Sequence, residues 1–493
     1  MKYWTFLLTL TAGALAVFGF APWSFWPAPL LAFLGLEWVW QRALNRREAF
    51  VLGWWWGMGC FGAGISWIEV SLHDYGGMPL PLALGVITLF AAYLALFPAF
   101  AGLLSWCHRS RPVVRWLLVT PAIWTLMEWV RSWLFTGFPW LSLGYAQLPG
   151  PLAGYIPVMG VFGASWASLI VSGATMLLLS STLARERWKS CVILLITLGL
   201  GSLLKFIPWT HPTDPSLTVS LLQGNIPQDM KFMTESRSHI IQRYNQLIFS
   251  STGRLILLPE SALPYTLEDM PPEYHDALQN WSIDSHRDIL MGLFSEPVRG
   301  QYYNSVFNFG SSTPQSYHKV HLVPFGEFIP FNAVLAPLIH TVLNIPLDDQ
   351  KRGPDHQPAL HLAGQWIGVD ICYEDAFGDE VRESLPQATI LANFTNDGWF
   401  GSSIGPEQHL QMAATRALET GRPLLRVTNT GVTAIITPQG AVLSRAPRQE
   451  IATLNGTIHG MTGSTPFVMM GNYGILTVCL ISLLLAWRWH PLP

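Results

Sequence analysis

The chain has 493 residues, of which half are hydrophobic and 12% are charged, and its formal net charge is −3. Soluble domains carry roughly twice that charged fraction, so an ordinary soluble protein is excluded and a polytopic membrane protein is expected. The small net charge and the lack of a basic tail give no sign of nucleic-acid binding.

A membrane span needs about 20 largely apolar residues. Eight segments read as spans: 3–20, 23–40, 50–69, 79–106, 113–135, 153–181, 190–207 and 471–488. Residues 1–16 also read as a signal peptide with Ala14-Leu15-Ala16 as cleavage site, although Lys2 is its only charge. Trp23, Trp26, Trp38, Trp40, Trp133 and Trp140 crowd the span ends, as interfacial anchors do. Arg42, Arg46 and Arg47 follow the second span; Arg109, Arg111 and Arg115 follow the fourth; Arg185, Arg187 and Lys189 follow the sixth. The alternate loops at 21–22, 70–78 and 136–152 have no Lys or Arg. Cytoplasmic loops carry the Lys/Arg excess. Both termini are therefore expected inside, and the polar segment after the seventh span outside, which in a bacterium is the periplasm. Glu128 and Arg131 stand three apart in the fifth span, close enough to pair. Ionisable residues in a span are functional candidates, and a structural ion pair is the alternative.

The segment 208–470 is long enough for one globular domain with its own core. Pro208, Pro212 and Pro215 mark its entry. Strands are expected at Leu217–Leu222, Leu255–Leu258, Ile289–Leu293, Ser305–Phe309, Trp366–Ile371, Thr389–Asn393, Pro423–Thr428 and Ala434–Thr437. Helices are expected at Ser236–Ser250, Glu273–Ser285 and Glu407–Thr420. Their alternation predicts an α/β domain. The domains are then 1–207 in the membrane, 208–470 outside it, and 471–493 as a last span with a cytoplasmic tail. The apolar, proline-broken stretch 328–347 is too short to span. It reads as buried core or, by preference, as an arm resting on the bilayer, with Trp399 and Phe400 on the same surface.

Cys60, Cys107, Cys191 and Cys479 lie in or beside apolar runs and read as small hydrophobes. Cys372 is different. It is the one cysteine in 208–470, so no disulfide framework is implied there. It ends the strand-like run Gly368-Val369-Asp370-Ile371, a rigid place to present a thiol. Glu260 follows the apolar run 255–259, and Lys319 sits between His318 and His321. Alone, each has a structural explanation: a helix cap, a surface lysine, a core cysteine. Together they supply what acyl transfer needs. A thiol of ordinary pKa about 8.5 needs a base or a positive neighbour. Glu260 can take its proton, while Lys319 can lower its pKa and stabilise an oxyanion.

In these contexts Glu260, Lys319 and Cys372 resemble the Glu-Lys-Cys triad of the nitrilase superfamily, which implies an α-β-β-α sandwich. Eight spans with this domain before the last resemble more narrowly the apolipoprotein N-acyltransferases of the bacterial inner membrane. The stretches 128–131, 136–140, 223–228, 321–327 and 395–401 carry that resemblance. It implies that Cys372 takes an acyl chain from a membrane phospholipid as a thioester. The α-amine of a diacylglyceryl-cysteine at an apolipoprotein's N-terminus then attacks that thioester, in ping-pong order. No metal and no cofactor are implied, and a monomer is expected. Glu327, Tyr373 and Glu374 match supporting positions. Phe232, Glu128, Arg131 and Trp399 are substrate-binding candidates. Phe232 stands where related sequences often have Trp, so an indole N–H is lost. The alternative is a membrane-tethered amidase or nitrilase acting on a soluble amide.

Overall fold

A helix lies in each of the eight apolar segments, for the reason their composition gives: long runs with few charges to solvate. The computed structural model describes residues 3–488 apart from 232, 311 and 331–349. Four helical stretches among these are both long and apolar enough to cross a membrane: Leu80–His108, Pro112–Arg131, Pro151–Ser180 and Ala184–Leu204. Tyr3–Gly19 and Tyr473–Trp487 are apolar but shorter. The helices Pro27–Arg42 and Arg46–Gly64 are less apolar, the second opening with Arg46, Arg47 and Glu48. The expectation of eight spans is thus met in length and apolarity by four. Leu89, Leu195 and Leu203 are exposed on their helices, which suits a lipid rather than a water surface.

Two compact units are present. One comprises Met1–Glu69, Leu80–Pro208 and Thr465–Pro493, and the other Val70–Pro79 and Trp209–Ser464. In the helical unit, Tyr3–Ala16 packs against Arg46–Gly64 at bare backbone. A side chain at Gly13 would overlap Trp56 O, and one at Gly59 would overlap Leu10 O. Small residues allow this close approach where no hydrophobic force draws helices together.

The second unit holds two six-stranded sheets. The strands are β1 (Thr210–Pro212), β2 (Leu217–Gln223), β3 (Leu255–Leu258), β4 (Asp288–Val298), β5 (Gln301–Phe309), β6 (Ser316–His318) and β7 (Leu360–Leu362). They continue with β8 (Gln365–Ile371), β9 (Ile390–Thr395), β10 (Leu424–Thr428), β11 (Ala434–Ile436), β12 (Val442–Arg445), β13 (Ala452–Ile458) and β14 (Met461–Gly463). One sheet runs β13-β2-β3-β4-β5-β6 and the other β12-β11-β10-β9-β8-β7. Strands β2, β3 and β4 are parallel to one another, as are β8, β9 and β10. The run Leu255-Ile256-Leu257-Leu258 shows why: side chains alternate faces, yet all four are buried. Leu255 and Leu257 meet Ile367, Phe394 and Val427 of the other sheet in one core. Ile256 and Leu258 meet Ile240, Tyr244 and Leu278 of the covering helices Arg237–Ser250 and Pro272–Asp284. Parallel strands covered on both faces read as continuous apolar runs. The helix Gly405–Thr420 is buried along most of its length. The architecture is the predicted sandwich. Strands β1, β6, β7 and β12–β14 were not anticipated: β12, for example, is largely exposed and offers no apolar face.

Candidate active site

Lys319 and Cys372 each follow directly on a strand, and Glu260 stands one residue further on. Glu260 comes one residue after β3, past Pro259, and the backbone turns there with Ser261 at φ 47°. Gly292 of β4 permits the turn. A Cβ there would stand 2.5 Å from Pro259 O and 2.7 Å from Glu260 Cα. Lys319 follows β6, and its N–H donates to Asn304 O at 2.8 Å. Cys372 follows β8 at φ 53° and opens the 3₁₀ turn Cys372–Ala376. This left-handed backbone costs a non-glycine residue about 1–3 kcal/mol and persists only where surrounding contacts enforce it. Asn393 Nδ2 donates to Cys372 O at 3.2 Å, and His409 Nε2 lies 3.2 Å from the same oxygen.

Glu260, Lys319 and Glu327 meet directly. Lys319 Nζ is 2.7 Å from Glu327 Oε1 and 3.9 Å from Glu260 Oε1, and the lysine side chain is fully buried. Asn304 Nδ2 donates to Glu260 Oε1 at 2.6 Å, and Glu327 Oε2 accepts from Val323 N at 2.8 Å. Burial disfavours the Lys319 charge, but Glu327 and then Glu260 outweigh it and raise its pKa. Lys319 is therefore a fixed ammonium.

Cys372 is half-buried and packs beside the inter-sheet core. Burial lifts its thiol well above the usual range; the negative charge of Glu260 adds to this, and Lys319 pulls the other way. The expectation that Lys319 would lower the thiol pKa holds for its own contribution but not for the sum. The resting thiol keeps its proton, so attack requires a base at the moment of reaction. Thr395 hydrogen-bonds the thiol.

Glu374 is a structural anchor. Its Oε1 accepts from Val320 N at 2.6 Å and His321 N at 3.0 Å. Its Oε2 accepts from Ile371 N at 2.6 Å and Tyr317 Oη at 3.0 Å. One carboxylate thus ties the backbone beyond Lys319 to the backbone before Cys372. Burial raises its pKa to about 7. Tyr373 is buried, its ring edge-on to Phe377 at 5.0 Å and to His321 at 5.7 Å.

Beneath Cys372 lies a polar cluster that sequence reading missed. Arg426 Nη1 is 3.0 Å from Asp375 Oδ2, and its Nη2 is 3.0 Å from Asp397 Oδ2. His409 Nδ1 is 2.8 Å from Asp397 Oδ1, and its Nε2 is 3.0 Å from Asp375 Oδ1. All four side chains are buried. The available signal was an arginine inside the apolar strand Leu424–Thr428, which burial obliges to find acids. Lys231 was also missed. It is 3% exposed, and its Nζ donates to Glu260 O at 3.0 Å.

The other candidates stand elsewhere. Phe232 and residues 331–347 of the expected arm lie outside the described residues. Trp399 is exposed; its ring packs edge-on to Tyr75 at 5.8 Å, and its carbonyl accepts from Ser71 Oγ at 2.7 Å. Glu128 and Arg131 belong to the helical unit, where both hold the stretch 138–143. Arg131 Nη1 donates to Phe138 O at 2.5 Å and Trp140 O at 2.6 Å, and its Nη2 donates to Ser142 Oγ at 3.0 Å. Glu128 Oε1 accepts from Leu143 N at 2.9 Å and Trp124 Nε1 at 3.0 Å.

This geometry can be set beside known proteins. Residues 12–174 match the apolipoprotein N-acyltransferase N-terminal domain family, and residues 218–467 match the carbon-nitrogen hydrolase family. The chain is 44% identical over 491 residues to an apolipoprotein N-acyltransferase of Nitrosomonas europaea, covering 98% of this chain and 96% of that one. It is 41% identical over 478 residues to the one from Methylococcus capsulatus, covering 96% and 94%.

Proposed function

The chain belongs to the apolipoprotein N-acyltransferase family, and from that premise we propose that its acyl transfer runs through a thioester on Cys372. The enzyme is an N-acyltransferase with a nitrilase-like catalytic fold. Glu260 accepts the Cys372 proton as sulfur attacks an ester carbonyl of a membrane phospholipid. The ester C–O bond breaks, Glu260 returns the proton to the leaving oxygen, and a lysophospholipid departs. The α-amine of a diacylglyceryl-cysteine then attacks the thioester. Glu260 takes a proton from the amine, the C–S bond breaks, and the proton returns to sulfur. An amide results. Lys319 supplies positive charge to both tetrahedral intermediates. No metal or cofactor takes part in this scheme.

The observation that carries the reading is the buried contact of Glu260 and Lys319 in electrostatic reach of a thiol held at positive φ. Glu327, Tyr373 and Glu374 support the triad rather than react. The membrane reading extends the four long helices to eight spans in the bacterial inner membrane. Both termini are placed in the cytoplasm and the segment 208–470 in the periplasm, on the Lys/Arg distribution. The enzyme acts as a monomer.

The test is intact-mass spectrometry after incubation with phospholipid and no acceptor. The wild type gains one acyl mass, removed by neutral hydroxylamine, and Cys372→Ala gains none. An acyl adduct on Cys372→Ala, or a wild type that stays unmodified here yet transfers acyl chains once acceptor is added, refutes the thioester.

A further inference from the structure

Lys231 is a buried ammonium that the Glu-Lys-Cys scheme leaves without a task. The turn that carries it is fixed on several sides. Met230 N donates to Pro227 O at 3.1 Å, and Lys231 N donates to Gln228 O at 3.4 Å. Gln228 Oε1 accepts from Asn396 Nδ2 at 2.7 Å. Ile226 exchanges two hydrogen bonds with the side chain of Asn429, at 2.9 and 2.8 Å. A lysine on a mobile loop would swing to water; this one is held 3% exposed. Its Nζ makes one hydrogen bond among the described residues, to the neutral Glu260 carbonyl. An ammonium has three N–H donors, so two remain for another acceptor. Buried donors of a charged group without a partner are costly and mark a place where a ligand atom arrives.

The charges of the site point the same way. Lys319 is faced by two carboxylates, Glu327 at 2.7 Å and Glu260 at 3.9 Å, so much of its field is spent before it reaches the sulfur. These three groups together carry one negative charge, which opposes formation of an oxyanion. Lys231 makes the group of four neutral. Of the other acids near the thiol, Asp375 and Asp397 are matched by Arg426 and His409, while burial raises the pKa of Asp370 and Glu374 and so favours their neutral forms. Among the described residues of the site, Lys231 is the cation whose direct hydrogen-bond partner is uncharged. Its electrostatic neighbours are the Glu260 carboxylate and the Cys372 sulfur, so it shares their pocket.

On the reading that Cys372 is the nucleophile, we infer that Lys231 is a further catalytic residue, donating its two free N–H groups to the oxyanion of the tetrahedral intermediates. Burial lowers its pKa to about 8, against the opposite pull of Glu260 and Cys372. That keeps it mostly charged at neutral pH yet able to yield a proton.

Two full-length variants test this, each with pre-steady-state acylation of Cys372 by dipalmitoyl phosphatidylethanolamine in mixed micelles. Lys231→Met removes donors and charge. Lys231→Gln keeps an amide able to reach the Glu260 carbonyl but not the charge. The loss of an oxyanion donor slows reaction by about 10²–10³-fold. Both variants are expected to acylate at least about 100-fold more slowly, with half-saturating phospholipid within twofold of wild type. Should Lys231→Met fail to fold, Lys231→Gln carries the test. Near-wild-type rates in either variant overturn the inference, because a tether to Glu260 then suffices. So does a failure of both to fold, which makes the residue structural. Cys372→Ala, run in parallel, separates the two ideas: if it still transfers acyl chains the thioester reading fails, whereas a dead Cys372→Ala with an active Lys231→Met sinks this inference alone.

Discussion

Replacing Glu327 by Gln should impair acylation through Lys319 rather than through any contact with substrate. In the native site Lys319 leans on Glu327 at 2.7 Å and stands 3.9 Å from Glu260. With an effective dielectric constant of about 20, the attraction of unit charges is about 6 kcal/mol at the shorter distance and about 4 kcal/mol at the longer. Without the Glu327 charge, the buried ammonium gains about 2 kcal/mol by closing on Glu260 to the shorter distance. That tightened pair must be undone before Glu260 can accept the thiol proton. A barrier raised by about 2 kcal/mol slows the step about 30-fold. The assay is single-turnover acylation of Cys372 followed by mass spectrometry. Alkylation by iodoacetamide serves as a control on the thiol itself. Removing a negative charge from the pocket favours the thiolate, so alkylation should become faster at a given pH while acylation becomes slower. If acylation stays within threefold of wild type while Cys372→Ala is inactive, Glu327 does not hold Lys319 off the base and the reasoning fails.

Two further outcomes follow from the same geometry. Glu374→Gln should destabilise the catalytic unit, because an amide NH₂ would face the donors Ile371 N and Tyr317 Oη or Val320 N and His321 N. Each buried group left unsatisfied costs about 1–3 kcal/mol, visible as a lower thermal midpoint together with slower acylation; an unchanged midpoint would mean that the anchor is dispensable. His409→Gln should flatten the pH dependence of stability. Burial and Arg426 disfavour its charge, but Asp375 and Asp397 prevail and raise its pKa from 6.5 to about 9. The stabilisation it adds is therefore complete below pH 6.5 and lost as pH rises through about 9. Asp397 behaves oppositely: burial raises its pKa, but Arg426 and His409 depress it from 3.8 to about 2, so its contribution is lost only in strong acid. Unfolding midpoints recorded between pH 6.5 and 9 should fall for the wild type and less for His409→Gln. Parallel curves for the two would rule out a charged His409 in the native state.

The amino-acid sequence by itself determined where the chain is apolar enough for membrane helices, the alternation of strands and helices in 208–470, and the positions of Glu260 and Cys372 at strand ends. These are local properties: hydropathy over one window, a period of two or 3.6, a polar residue after an apolar run. The tertiary structure alone decided which polar groups meet. Glu327 pairs with Lys319, and Glu374 joins two distant backbones. Asn304 reaches Glu260 from β5 because β4 lies between β3 and β5 in the sheet. Arg426 finds Asp375 and Asp397 because β8, β9 and β10 run side by side. Lys231 draws no attention in the sequence, and only the fold brings it against the Glu260 carbonyl. Alternation fixes the face on which a side chain falls but not the neighbour it finds, because strand order and turn geometry arise from the packing of the whole core.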